Sequence, residues 1–303
     1  MATALLLGGT GFIGKTLSKF LADKGYKIRI LSRSRSVDYE TFQCDLLSDK
    51  IPIDAFKNVD LVVHLAGYAH DIRHNKDNAS AYHELNVITT KKLANIASEC
   101  GVKSFIFFSS IKAGGKPKKF HCANEDSISV PDGMYGKTKR EAELFLLELS
   151  RKSKMRINII RPSIVYGPDM KGNMSLMYSL VKKGIFPSLP PMKNVKSLIH
   201  VDDVARSVLF IESRKFNQEI FIITDGKKYS SREIYINMCI AANKKYSGIY
   251  FPYFLFSFVS HLSKGMKYRI EKIFNSECYC SEKIKNEGFE PLKTLKNINE
   301  TDF

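Results

Sequence analysis

Tyr135 and Lys139 stand four residues apart in YGKTKREAE, a charged, helix-forming stretch that follows the turn-like VPDG. On a helix, positions i and i+4 share a face, so the phenol and the ammonium point into the same space. An ammonium near a phenol favours the phenolate and draws its pKa toward working pH. Such a tyrosine can give or take a hydroxyl proton while hydride moves to or from the adjoining carbon. The same lysine is placed to hydrogen-bond the ribose of a nicotinamide. Upstream, FFSS puts Ser109 and Ser110 at the end of an apolar run, and Ser110 is expected to hydrogen-bond the reacting oxygen.

A second constellation opens the chain. LLLGGTGFIGKTLSKFL sets Gly8, Gly11 and Gly14 between a strand-like run and a helix-like one. Glycines allow the tight turn, let backbone amides approach a pyrophosphate and permit close helix–strand packing; the helix N-terminus then favours the anion. Thr10, Phe12 and Ile13 complete the expected cofactor loop. About 20 residues further on, an NAD site usually offers an acid to the ribose 2′-hydroxyl. Here stand Ser32, Arg33, Ser34 and Arg35. With no acid to repel it and two guanidiniums to hold it, a 2′-phosphate fits better. NADP(H), held in part by Arg33, is therefore expected, with NAD(H) as the alternative. Asp45 and Leu46 in CDLL are placed to hold the adenine. Leu65, Ala66 and Gly67 in HLAG, and Pro162 at the end of RINIIRP, complete the expected cofactor set.

These residues need a scaffold, and the first half of the chain supplies one. ATALLLGG (2–9), YKIRILSR (26–33), DLVVHLAG (60–67), KSFIFFSS (103–110) and RINIIRP (156–162) read as strands, several of them continuous apolar runs. Such runs suit a parallel sheet covered on both faces. Amphipathic segments between them, such as 15–25 and 88–101, each close on a glycine of C-cap type. The pattern predicts an α/β fold, a doubly wound parallel sheet of Rossmann type, over residues 1–167. Residues 168–303 break that rhythm and predict a smaller, partly interleaved α/β lobe for the substrate, with a strand near 219–225 returning to the sheet.

Composition narrows the function classes. The 303 residues carry 47 Lys+Arg against 31 Asp+Glu, a net charge of +16 that attracts anions. No aromatic–basic recognition module accompanies it, which argues against nucleic acid. KPKKF (116–120) is too short for that role and reads as a polar loop able to close over a diphosphate. The six cysteines are dispersed, and a reduced, cytoplasmic setting is the simpler expectation. Cys278 and Cys280 form a C-x-C without a second pair, and His70, His74 and His83 lack carboxylate spacing, so no metal is expected. FPYFLFSFVSHL (251–262) is apolar but too short to span a bilayer, which leaves peripheral membrane contact open.

Taken together, the glycine triplet, HLAG, Ser110 and Y-x-x-x-K resemble the extended short-chain dehydrogenase/reductases, and among them the NAD-dependent epimerase/dehydratase family that acts on nucleotide sugars. The likeness runs over residues 2–225. SSIKAGG and MKGN look like UDP-N-acetylhexosamine 4-epimerases and 4-keto reductases of surface-polysaccharide biosynthesis. The resemblance implies that Asn86 supports the active site and the substrate, that Asn173 lies near the nucleotide diphosphate, that Asp203 is structural, and that members dimerise around the Tyr-Lys helix. Lys196 faces either the pyrophosphate or solvent. Arg161 serves either the cofactor or a structural salt bridge. The arginines after the second strand tilt the expectation to a UDP-4-keto-N-acetylhexosamine reductase. A UDP-glucose or UDP-N-acetylglucosamine 4-epimerase is the alternative, and a non-catalytic NADP sensor a remote one.

Overall fold

The computed structural model describes residues 1–68, 78–118, 121–246, 248–261 and 263–303; His70, His74 and Lys119 lie outside them. The chain runs through β1 (Thr3–Leu7), α1 (Phe12–Asp23), β2 (Lys27–Ser32), β3 (Glu40–Gln43), β4 (Leu61–His64), α2 (Asn78–His83), α3 (Thr89–Glu99), β5 (Ser104–Phe108) and α4 (Ile111–Gly114). There follow α5 (Gly133–Lys152), β6 (Arg156–Pro162), β7 (Ile164–Tyr166), α6 (Asn173–Lys182), β8 (Leu198–His200), α7 (Val201–Ser213), β9 (Ile220–Ile223), α8 (Ser231–Ala241), α9 (Tyr253–Ser260), α10 (Lys264–Phe274) and α11 (Glu282–Asn286). Gly25 and Gly101 stand just past α1 and α3 with positive φ, where glycine carries no Cβ penalty.

Seven strands form one sheet in the order β3-β2-β1-β4-β5-β6-β9, with every neighbouring pair parallel. Alternate residues of the central strands feed two cores. One face packs Leu17 and Leu21 of α1 with Val204 and Val208 of α7. The other packs Leu93 and Ala97 of α3 with Ala142 and Leu146 of α5. Both faces are covered, which is why β1 reads TALLL with every residue buried. The strand order reverses between β1 and β4, and such a switch point opens a crevice at the carboxyl ends of the strands.

Residues beyond 168 serve two structures. β9 is the last strand of the large sheet and α7 lies on its face, whereas α6, α8 and the C-terminal segments pack around a third core holding Tyr166, Tyr229 and Met238. A small parallel pair, β7 and β8, joins the two. The tail is tied down through Asp203, whose buried carboxylate accepts the amides of Leu292 and Lys293 and pairs with Arg206 at 2.6 Å. That is the structural role the resemblance implies.

One cysteine pairing is not visible in the spacing. Cys122 and Cys278 are joined in a disulfide, 156 residues apart in sequence. The C-x-C spacing drew attention to Cys278 and Cys280, and only the fold brings Cys122 alongside. The bond ties the loop before α5 to the C-terminal lobe, where Ala123 also pairs with Tyr279. The other four cysteines are free.

Candidate active site

The turn between β1 and α1 is built as its sequence demands. Gly8 takes φ +90° and its carbonyl accepts the Gly11 amide at 3.1 Å, closing the turn. A Cβ on Gly14 would fall 2.5 Å from the Gly8 carbonyl oxygen, so helix and loop meet at a distance that only glycine allows. Leu65 and Ala66 both donate to the Leu7 carbonyl at 2.9 Å, bringing the end of β4 against the loop. The result is an open backbone cradle at the start of a twelve-residue helix with no acid in its first turn. These residues fit a dinucleotide: Gly8, Thr10, Gly11, Phe12, Ile13 and Gly14 around its pyrophosphate, with Leu65, Ala66 and Gly67 alongside.

At the end of β2, Arg33 and Arg35 are exposed, and neither forms an ion pair among the described residues. Across from them, Asp45 caps its own turn by accepting from the Leu47 amide at 3.1 Å. Leu46 packs on the second core and receives the Thr89 hydroxyl at its carbonyl. Pro162 closes β6 opposite Ile223.

Tyr135 and Lys139 lie in the first two turns of α5, over the end of β5. Their proximity holds: the Lys139 ammonium is 6.0 Å from the centre of the Tyr135 ring. The electrostatics differ from expectation. Tyr135 is pushed up to about 12, chiefly by burial, although its side chain as a whole keeps some exposure; the opposing influence is a hydrogen bond from Ser110. Lys139 is 3% exposed, and burial brings it down to about 7, with Glu143 pulling the other way. Its Nζ donates to the Phe108 carbonyl at 2.8 Å and lies 4.5 Å from the centre of the Phe107 ring. The phenol is thus tuned by Ser110, because desolvation leaves the lysine itself only partly charged near neutral pH. Of the two serines, Ser109 is buried with an unpartnered hydroxyl, and Ser110 reaches the phenol while capping α4.

Around this centre is a brace that residue spacing alone did not disclose. Asn86 sits in a π-helical turn (Glu84–Ile88), fully buried. Its Oδ1 accepts the Tyr68 amide at 2.9 Å, and its Nδ2 donates to the Thr138 hydroxyl at 3.1 Å and the Tyr68 carbonyl at 3.3 Å. Asn86, expected among substrate contacts, is therefore consumed in fixing the loop after β4 to α5. Glu143, one turn after Lys139, is held by Arg161 in a two-pronged pair at 2.8 and 2.6 Å. That makes Arg161 the structural partner of a buried acid; the i, i+4 spacing of Lys139 and Glu143 was the available signal. Lys112 places a further cation 5.8 Å from the centre of the Tyr135 ring, and Tyr82 packs nearby.

The remaining expected residues separate. Asn173 begins α6 and is exposed. Lys196 turns inward, 3% exposed, donating to the Lys272 carbonyl at 2.8 Å with Glu277 at 3.9 Å. It faces neither solvent nor an open site, since the C-terminal segment covers it. Lys116 pairs with Asp132 at 3.3 Å across the loop before α5. His83 pairs with Glu141, and among the described residues no group of His, Cys, Asp and Glu could hold a metal.

Comparison with known proteins agrees with this geometry. The sequence model of the NAD dependent epimerase/dehydratase family matches residues 4–223. A UDP-glucose 4-epimerase of Vibrio cholerae is 34% identical over 252 residues, covering 79% of this chain and 76% of that protein. An N-acetyl-alpha-D-glucosaminyl-diphospho-ditrans,octacis-undecaprenol 4-epimerase of Escherichia coli O157:H7 is 26% identical over 96% of this chain and 91% of its own. Among solved structures, the UDP-glucose 4-epimerase of Thermotoga maritima superposes with a TM-score of 0.79 at 21% identity, covering 99% of this chain and 97% of that one.

Proposed function

The chain belongs to the NAD dependent epimerase/dehydratase family, and from that premise we propose that it is a 4-epimerase of a UDP-linked hexose or N-acetylhexosamine. The observation that carries this reading is the convergence of Tyr135, Ser110 and Lys139 at the carboxyl end of β5, beside the glycine cradle. Likeness to 4-epimerases over most of the chain supports the choice of reaction and of sugar carbon.

When bound, the nicotinamide cofactor supplies reversible hydride transfer at the sugar carbon. The chain's residues then have distinct duties. As the phenolate, Tyr135 takes the proton of the C4 hydroxyl while hydride leaves C4, and as the phenol it returns that proton to the 4-keto oxygen when hydride comes back; burial disfavours the phenolate. Ser110 hydrogen-bonds the phenol, offsets part of that burial and is within reach of the same oxygen. Lys139, anchored on Phe108, lines the cofactor side with a donor whose charge responds to pH near 7. Asn86 and Thr138 hold the β4 loop so that Gly67 stays against the lysine.

A second reading rests on Arg33 and Arg35. Exposed guanidiniums where an acid usually stands suit the 2′-phosphate of NADPH, and a reductase of a UDP-4-keto sugar draws on that pool. The two readings part in one assay. Purified protein is incubated with UDP-glucose or UDP-N-acetylglucosamine and no added cofactor. Steady formation of the galacto epimer supports the epimerase. Absence of conversion, together with NADPH consumption on a UDP-4-keto sugar, would replace it with the reductase.

A further inference from the structure

The C-terminal lobe carries a face that the active site does not use. Residues 170–201 contain five lysines and no acid, of which Lys196 is buried and Lys182 pairs with Glu300, and residues 234–270 contain four lysines, one arginine and no acid. The two stretches meet at an open cleft of about 660 Å³ lined by Ile185, Phe186, Tyr235, Lys245, Ile249 and Phe251. Lys183, Lys244 and Lys245 are exposed around it. Beside it lies α9, held to the body by Tyr253 and Phe256, which pack on Phe274 with ring centres 4.9 and 5.4 Å apart. Phe254 and Phe258, i and i+4 on that helix, point away from the body and are 67% and 71% exposed. Tyr253, Ile185 and Ile249 extend the apolar surface, Ile249 at 86% exposure.

An apolar patch of this kind, ringed by basic residues, marks an interaction site. Its charge selects the partner: the exposed Lys183, Lys244 and Lys245, none of them in an ion pair among the described residues, repel a basic protein and attract an anionic sheet of headgroups. α9 has eight residues, and no described helix is long and apolar enough to cross a membrane, so the face can lie on a bilayer without spanning it. We propose that this face seats the protein on an anionic lipid bilayer. Phe254 and Phe258 enter the headgroup–acyl boundary, and the exposed lysines rest over phosphates. The proposal stands whichever C4 reaction the active site performs.

The test is co-sedimentation of the full chain with phosphatidylcholine vesicles, with and without phosphatidylglycerol. Binding at least about ten-fold stronger to the anionic vesicles is expected, falling steeply with salt. The double variant Phe254→Ser, Phe258→Ser should melt like the parent, turn over soluble substrate equally and lose at least about ten-fold in vesicle affinity. Lys244→Glu, Lys245→Glu provides an independent check that leaves the apolar rings in place and should likewise weaken binding. Equal binding to both vesicle types, no binding, or binding untouched by both variants overturns the proposal. So does a parental dimer that the phenylalanine variant converts to monomer while neither binds vesicles, because the face would then belong to a second copy.

Discussion

The Lys139 ammonium donates to the backbone carbonyl of Phe108 at 2.8 Å, under the shelter of the Phe107 ring. That bond fixes a charge where water is excluded, and burial brings its pKa to about 7 from 10.5. Between those pH values the unfolded chain binds more protons than the folded one, so stability rises with pH through that window. Below pH 7 the cost is present in full. Lys139→Met keeps the bulk and drops the charge. It should melt about 5 °C or more above the parent at pH 6, with the gap closing toward pH 10. Calorimetry at pH 6, 8 and 10 checks this, and a gap indifferent to pH would refute the burial argument.

Tyr135→Phe removes the exchanged proton and little else. Turnover should drop by at least about 100-fold while cofactor affinity stays within about two-fold. Ser110→Ala acts differently: without its hydrogen bond the phenol rises further. In the oxidising direction the ascending limb of the pH–rate profile should therefore move to higher pH. An unmoved profile would remove Ser110 from the tuning of Tyr135.

Gly67 ends HLAG, and the space beside it is closed by the brace and the lysine. A Cβ there would fall 2.8 Å from Asn86 Oδ1 and 3.2 Å from Lys139 Nζ. Gly67→Ala should cost about 10- to 100-fold in turnover, since a displacement of this size at a catalytic group has that effect. Far-ultraviolet dichroism and melting should stay close to the parent. Full activity in the variant would mean that the brace yields freely.

The choice between NADPH and NADH can be tested at the end of β2. Arg33→Ala with Arg35→Ala should weaken NADPH by about ten-fold or more and leave NADH unchanged, as read by fluorescence titration. Equal loss for both nucleotides would assign the arginines to the adenine or to general attraction, and a parental preference for NADH would favour the epimerase.

The elements were legible because period and punctuation agreed. β9 returns to the sheet within 219–225, where a strand is expected. The glycine cradle was legible for the same reason, since tight backbone approach demands glycine at fixed places. What stayed hidden depends on side chains meeting across long separations. Cys122 finds Cys278 only after the lobe closes, and Lys196 finds the Lys272 carbonyl only through the C-terminal segment. Burial, which spacing does not display, acts on both the phenol and the lysine.

Glu143 and Arg161 make the sharpest case of such a meeting. Both are almost fully buried, and the acid accepts both prongs of the guanidinium while Arg140 approaches at 3.8 Å. Removing one partner strands the other charge away from water. Glu143→Ala should therefore lower stability by about 3–5 kcal/mol in urea unfolding. The double variant Glu143→Ala, Arg161→Met, which removes the buried guanidinium and leaves the half-buried Arg140, should recover part of that loss. The acid also supports the lysine one turn away, so Glu143→Gln should push the Lys139 pKa lower still and shift the activity profile on that side to lower pH. If the double variant were no more stable than the single, the pair would be contributing attraction beyond its desolvation, and the brace beneath Lys139 would rest on charge rather than on packing.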